Sequence, residues 1–126
     1  MTKESSKNHC KRSPCPISCT LDLLGDKWTL IVIRDLMMGK SRYSELADSP
    51  EGIPTNLLAE RLKRLTEAGI VSRQPYQEKP ARYAYQLTRK GLDLEPVLMA
   101  LVEWSKRYLP DAFVPPDDFR LNTKKP

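Results

Sequence analysis

The stretch over residues 41–88 limits the possible folds more than any other part of this chain. It holds two short helical segments separated by a tight turn, and two strand-like runs follow at once. Ser41 can cap a short helix over 42–48, and Ser49-Pro50-Glu51-Gly52 has the residues of a turn. Pro54 or Thr55 opens a second helix, which Gly69 ends. Residues 71–76, with Val71 and Tyr76, and 83–87, with Tyr83 and Tyr85, suit strands, with Pro75 placing the first near an edge. The polar, proline-containing segment 77–82 between them predicts a β-hairpin with a longer tip. Two short helices, a tight turn and a hairpin make a winged helix-turn-helix. In that arrangement the second helix of the pair enters a DNA major groove and the hairpin tip reaches the flank.

Glycines punctuate the rest. Residues 1–14 carry Lys3, Lys7, Lys11 and Arg12 against Glu4 and predict a flexible basic arm. Pro16 opens a helix over 17–24 that Gly25 ends; Asp26 can cap the next, over 27–38, which Gly39 closes. The β-branched run over 29–33 also suits a buried strand, but length and end signals favour helix. Trp28, Ile31, Val32, Asp35 and Leu36 form one stripe of it, and Leu30 and Ile33 lie beside them, so it should be buried on most sides. Thr88 caps a long helix to about Tyr108, interrupted or kinked near Pro96. Proline and mixed charge predict a loose tail over 110–126. The expected fold is mainly α with a small β-hairpin, and its one winged-helix domain spans 15–109.

Several function classes are disfavoured. The chain has 126 residues, enough for one domain with a modest core. Its longest aliphatic run, Leu30-Ile31-Val32-Ile33, is far too short for a membrane span or signal-peptide core, so a cytoplasmic location is expected. Gly25, Gly39, Gly52, Gly69 and Gly91 are too far apart for a phosphate-cradling loop. The single histidine, His9, sits in a polar stretch where nothing orients it for a catalytic triad. No enzymatic activity and no cofactor are expected. The net charge of +5 permits an anionic partner.

The helix over 55–68 suggests which partner. Leu57, Leu58, Leu62 and Leu65 share one side, with Arg61 and Ala68 at its border. The first exposed turn is small and hydrogen-bonding: Thr55, Asn56 and Ala59. Short side chains let a helix N-terminus approach base edges, where Asn56 can pair bidentately with adenine. Thr55 can bond a base or a phosphate, and Lys63 can meet phosphate further along. On the hairpin, Lys79 and Arg82 flank Pro80-Ala81, and an arginine on a protruding ribbon suits a narrow A·T-rich minor groove. Arg42 and Arg73 are further candidate phosphate contacts. Each of these alone is an ordinary surface residue. Their order on one expected face favours double-stranded DNA over the alternative, a winged-helix protein–protein module without DNA binding.

Linked blocks of this sequence resemble the HxlR-type transcriptional regulators. Cys15-Pro16 with the stretch Leu21-Asp22-Leu23-Leu24-Gly25-Asp26-Lys27-Trp28-Thr29 is similar to their opening signature. Arg42-Tyr43-Ser44-Glu45-Leu46 is similar to their short helix, and Gly52-Ile53-Pro54-Thr55-Asn56-Leu57-Leu58-Ala59 to their recognition helix. Pro80-Ala81-Arg82-Tyr83-Ala84-Tyr85-Gln86-Leu87-Thr88 is similar to their wing. The resemblance implies a MarR-like winged-helix homodimer that binds pseudo-palindromic operator DNA, its first and last helices forming the dimer interface. Ile17 and Leu21 would lie there on the first helix. On the last helix, Leu98, Leu101, Val102, Trp104 and Tyr108 also make a broader apolar stripe than one small domain readily covers.

Cys10, Cys15 and Cys19 are spaced C-x4-C-x3-C, which is not a usual zinc spacing, and no metal site is expected. A cytosolic setting argues against structural disulfides. Inert thiols are one reading. The other is that Cys15, at a helix N-terminus near Lys11 and Arg12, has thiolate character. The resemblance adds that some family members use the cysteine before this proline to sense oxidants or electrophiles, which makes Cys15 the candidate redox thiol. The effector itself is not identified by the sequence.

Overall fold

The computed structural model describes residues 10–122. Six helices and one hairpin follow in the order α1 (Pro16–Leu24), α2 (Thr29–Met37), α3 (Tyr43–Ala47), α4 (Thr55–Glu67), β1 (Val71–Glu78), β2 (Ala81–Leu87), α5 (Arg89–Leu92) and α6 (Glu95–Tyr108). This is the expected mainly helical winged helix-turn-helix. No described helix is long and apolar enough to cross a membrane.

Helix α2 is the central post. Val32, Ile33, Leu36 and Met37 are buried, together with Thr29 and Asp35. The helical reading of its β-branched run is correct, because capping and burial on most sides outweigh local strand propensity. Leu46 of α3, Leu58, Leu62 and Leu65 of α4, Ile70 and Val71 complete the core against it. The apolar side of α4 is thus spent on packing, and its other side faces out.

Gly52 ends the α3–α4 turn at φ +73°, in open space, so glycine is required there by backbone conformation alone. Gly91 is required for room: a Cβ there would lie 2.5 Å from the carbonyl oxygen of Ile70. That close approach seats the start of α5 on the base of the hairpin. Thr88 caps α5 as expected, its hydroxyl accepting from the Gly91 N–H.

Four expectations need correction. The long helix is not one kinked rod; it breaks at Asp93-Leu94, and Pro96 sits in the first turn of α6, where a missing N–H costs nothing. The hairpin tip is short, because the strands extend to Glu78 and Ala81 and only Lys79-Pro80 joins them. The N-cap of α3 is Arg42, not Ser41; the Glu45 carboxylate accepts from both backbone N–H groups. The tail is seated as far as Asn122, with Leu121 4% exposed in the core, Phe119 packed against it and the Asn122 N–H donating to Glu95 Oε2. Two apolar anchors among prolines and charges were too sparse to show a period.

The basic arm lies partly outside the described residues, which begin at Cys10. Residues 10–14 are tied down: the Lys11 N–H and Arg12 Nε–H both donate to the Asp22 carboxylate, at 2.9 and 2.8 Å, and a disulfide joins Cys10 to Cys19.

Asp26 joins α2 to α4. Its carboxylate accepts from the Trp28 and Thr29 N–H groups, from the Thr29 hydroxyl at 2.5 Å, and from Arg61 and Arg64 of α4 at 3.1 and 2.7 Å. Burial opposes its ionisation, but the bonds from Thr29, Trp28 and Arg61 outweigh burial and hold its carboxyl far below the usual range. A second link runs from α2 to the turn before α4: Arg34 bonds Glu51 at 2.7 Å, and with Ser49 it holds the Glu51 carboxyl down to about 2.

Asp26→Ala is expected to cost roughly 2–4 kcal/mol at neutral pH, because a cap is lost and Arg61 and Arg64 lose the carboxylate that joins them to α2. Both carboxyl pKa values are lowered by folding, so their stabilisation is complete above the unfolded values of about 4 and fades as pH falls below them. For Glu51 the loss runs from there down to about pH 2. Urea unfolding of the native and Asp26→Ala proteins should show a stability gap at neutral pH that narrows in acid. A gap independent of pH would refute this assignment.

Candidate nucleic-acid interface

Helix α4 and the hairpin present one face. Thr55, Asn56, Ala59 and Lys63 of α4 are exposed, and so are Arg42, Arg73, Lys79 and Arg82. All eight residues expected to contact DNA therefore reach solvent. They are not one cluster. Ala59, Lys63 and Arg73 line a single groove of about 470 Å³ between α4 and the hairpin, floored by Leu62 and Tyr85. Arg82 borders a second cleft, of about 290 Å³, nearer the hairpin tip. Arg42 stands at the start of α3, where its backbone bridges antiparallel to Ala84 of β2.

The first turn of α4 is held from outside as well. The Tyr43 hydroxyl donates to the Thr55 carbonyl at 2.7 Å, fixing α3 against the helix start. Sequence reasoning missed Tyr43, since a bond to backbone carries no pattern in the side-chain order. It also placed Arg61 only at the border of the apolar side. The Asp26 partners Arg61 and Arg64 lie far from it in sequence, and only the approach of α2 to α4 brings them together.

The expected dimer residues fall into two groups. Leu101, Trp104 and Tyr108 lie along one exposed line of α6; Trp104 is 58% and Tyr108 60% exposed, with ring centroids 5.1 Å apart. Ile17 and Leu21, one turn apart on α1, are exposed too. Val102 is half-buried. Leu98 is 7% exposed and belongs to the protein's own core, so it is not available to a partner. The difference follows from helical period: Leu98 lies on the side of α6 turned to α2, away from the outer line.

The expectation that cysteines stay unpaired holds only for Cys15, which is exposed; Cys10 and Cys19 are joined. Local proximity decided this, since the arm folds back along α1 and brings the two side chains together. The Cys15 thiol is held below its ordinary value by the backbone N–H groups of Ser18 and Ile17 at the start of α1. Arg12, which sequence reasoning placed near that thiol, turns instead to Asp22.

With this geometry in place, the relatives are informative. Residues 23–113 match the HxlR-like helix-turn-helix family, and the chain belongs to it. An uncharacterized HTH-type transcriptional regulator of Mycobacterium tuberculosis is 39% identical over 103 residues, which is 82% of this chain and 65% of that protein. The chain thus spans about two thirds of the length of that relative. Among solved structures, the reduced form of the transcriptional regulator YodB from B. subtilis is similar with a TM-score of 0.64 and 34% identity, over 79% of this chain and 98% of that one. The redox regulator HypR in its reduced form has a TM-score of 0.66 and 34% identity, over 73% of this chain and 91% of its own.

Proposed function

We propose that this protein binds operator DNA as a homodimer, regulates transcription and has no catalytic role. The observation that carries this reading is the exposed face joining the small-residue first turn of α4 to the cationic hairpin. Asn56 and Thr55 would meet base edges, Ala59 would let the helix approach, and Lys63, Arg42 and Arg73 would bond phosphates. Lys79 and Arg82 would reach the flanking minor groove. Two copies related by a twofold axis would pair their α1 and α6 faces through Ile17, Leu21, Leu101, Trp104 and Tyr108, with half-buried Val102 at the border. That pairing would set the two α4 helices about one turn of DNA apart, ~34 Å. The family winged-helix domain would lie between the arm and the tail.

Within this reading the effector is an oxidant or an electrophile. The exposed Cys15 thiol, with the helix start favouring its thiolate, and the likeness to a redox regulator support it. Cys15 adjoins the α1 face assigned to the dimer, so its modification would shift the spacing of the two recognition helices.

Selection from random-sequence DNA should recover a pseudo-palindromic duplex whose affinity falls steeply with salt. Asn56→Ala should cost roughly 1–3 kcal/mol at one base position, and Arg82→Ala should weaken binding and relax preference for A·T flanks. Recovery of no duplex, or binding untouched by both substitutions, would leave the face to a protein partner instead.

Trp104→Glu is expected to give monomer or insoluble protein, and the monomer should lose affinity with its second half-site. Sedimentation of the unmodified protein as a monomer at micromolar concentration would defeat the dimer.

Mild peroxide or a quinone should alter operator binding in the native protein and not in Cys15→Ser. Alkylation without reductant should mark Cys15 and spare Cys10 and Cys19. Equal loss of binding in both proteins would remove Cys15 from the response.

A further inference from the structure

Two groups of arginines in the described residues are held in place by different partners. Arg12, Arg34, Arg61, Arg64 and Arg89 each meet at least one carboxylate, and these pairs tie elements of the fold together or neutralise charge along a helix. Arg42 and Arg73 differ. Each lies over a tyrosine ring of the hairpin: Arg42 over Tyr76, with 4.3 Å from guanidinium carbon to ring centroid, and Arg73 over Tyr83, at 4.0 Å. Among the described residues neither forms a salt bridge with an acid.

The backbone is arranged to make the first of these stacks. Arg42 is bridged to Ala84, and the Tyr85 N–H donates to the Ser41 carbonyl at 2.8 Å, so the chain before α3 is pinned to β2 at this point. Tyr76 is the extra residue of a β-bulge. Pro75 faces Tyr83 and Gln77 faces Arg82, which leaves Tyr76 with no cross-strand partner. Arg42 is level with Ala84, which pairs with Gln74, and Tyr76 lies two residues beyond Gln74, within reach of the Arg42 guanidinium. Tyr76 also borders the cleft that Tyr43, Tyr83 and Tyr85 line. In the second stack Arg73 pairs with Tyr85 and reaches Tyr83, two residues along on the same face of the strand.

We propose that Tyr76 and Tyr83 are positioning residues for DNA binding, which hold Arg42 and Arg73 ready to clamp phosphates. The proposal rests on the DNA-binding reading above. A guanidinium stacked on a ring uses its face, and the N–H groups that bond a phosphate bidentately point outward in its plane, so the two interactions do not compete. The ring also lowers the rotamer freedom that a long side chain would otherwise lose on binding, and it shields one face from water. A carboxylate partner would hold an arginine equally well but would occupy the same N–H edge and cancel the charge. Tyrosine fixes the group and leaves both free.

The test is a pair of double-mutant cycles, Arg42 with Tyr76 and Arg73 with Tyr83. It is read as the Kd for a labelled duplex of about 30 base pairs selected by the native protein from random DNA. Tyr76→Leu and Tyr83→Leu should each raise Kd roughly two- to five-fold. Tyr76→Phe and Tyr83→Phe, which keep the ring, should bind as the native protein does. In an Arg42→Ala background, Tyr76→Leu should have no further effect, and likewise Tyr83→Leu in Arg73→Ala. Arg42→Ala and Arg73→Ala should each reduce the salt dependence by about one counterion. If the leucine variants weaken binding equally with and without their arginines, the tyrosines only support the hairpin, and the inference is overturned while the DNA-binding reading stands. If both arginine-to-alanine variants leave affinity and salt dependence unchanged, this part of the proposed DNA face is wrong and the inference falls with it.

Discussion

The rest of the structure depends on one carboxylate. Asp26 stands in the turn between α1 and α2, and it receives the backbone of the turn, the Thr29 hydroxyl and two guanidinium groups from α4. It therefore caps the central helix and fixes the helix that faces outward. Leu58, Leu62 and Leu65 press α4 onto the core, but apolar contact is nondirectional and would tolerate some rotation of the helix. Charge-assisted bonds from Arg61 and Arg64 to a single carboxylate restrict that rotation, and so determine which residues of the first turn point to solvent.

A domain this small has few ways to keep positive charge available. Half of its described arginines are paired with acids, and four of those five, Arg12, Arg34, Arg61 and Arg64, hold elements together. The turn before α4 is clasped by Arg34 and Glu51, and the arm is held along α1 by Arg12 and Asp22. Among the described residues, cationic groups on the outward side of α4, on the hairpin and on the segment before α3 have no acid partner. The net charge of +5 understates this local imbalance, because the paired charges cancel where they stand.

The outer line of α6 and the exposed turn of α1 form a second outward feature with the opposite chemistry. Trp104, Tyr108, Leu101, Ile17 and Leu21 are large apolar side chains with little to cover them within the described residues. A cationic face and a separate apolar face are what the proposed DNA-binding homodimer would require.

Much of this was legible in the order of residues. Period, caps and turn-forming residues were enough for α1 to α4, for the hairpin and for the exposed first turn of α4, because each of those signals acts over a few neighbouring residues. The family resemblance likewise lay in short linked motifs. What escaped were contacts between residues distant in the chain. The pairing of Asp26 with Arg61 and Arg64, the bond from Tyr43 to the Thr55 carbonyl and the seating of Leu121 in the core belong to this group. So does the burial of Leu98 on the inner side of α6, and so does the stacking of Arg42 on Tyr76. The sequence by itself determined which elements form and which side chains are able to bind an anion. Only the tertiary structure decided which of those arginines are spent on acids and which are left free, because that depends on distances between elements that no local pattern encodes.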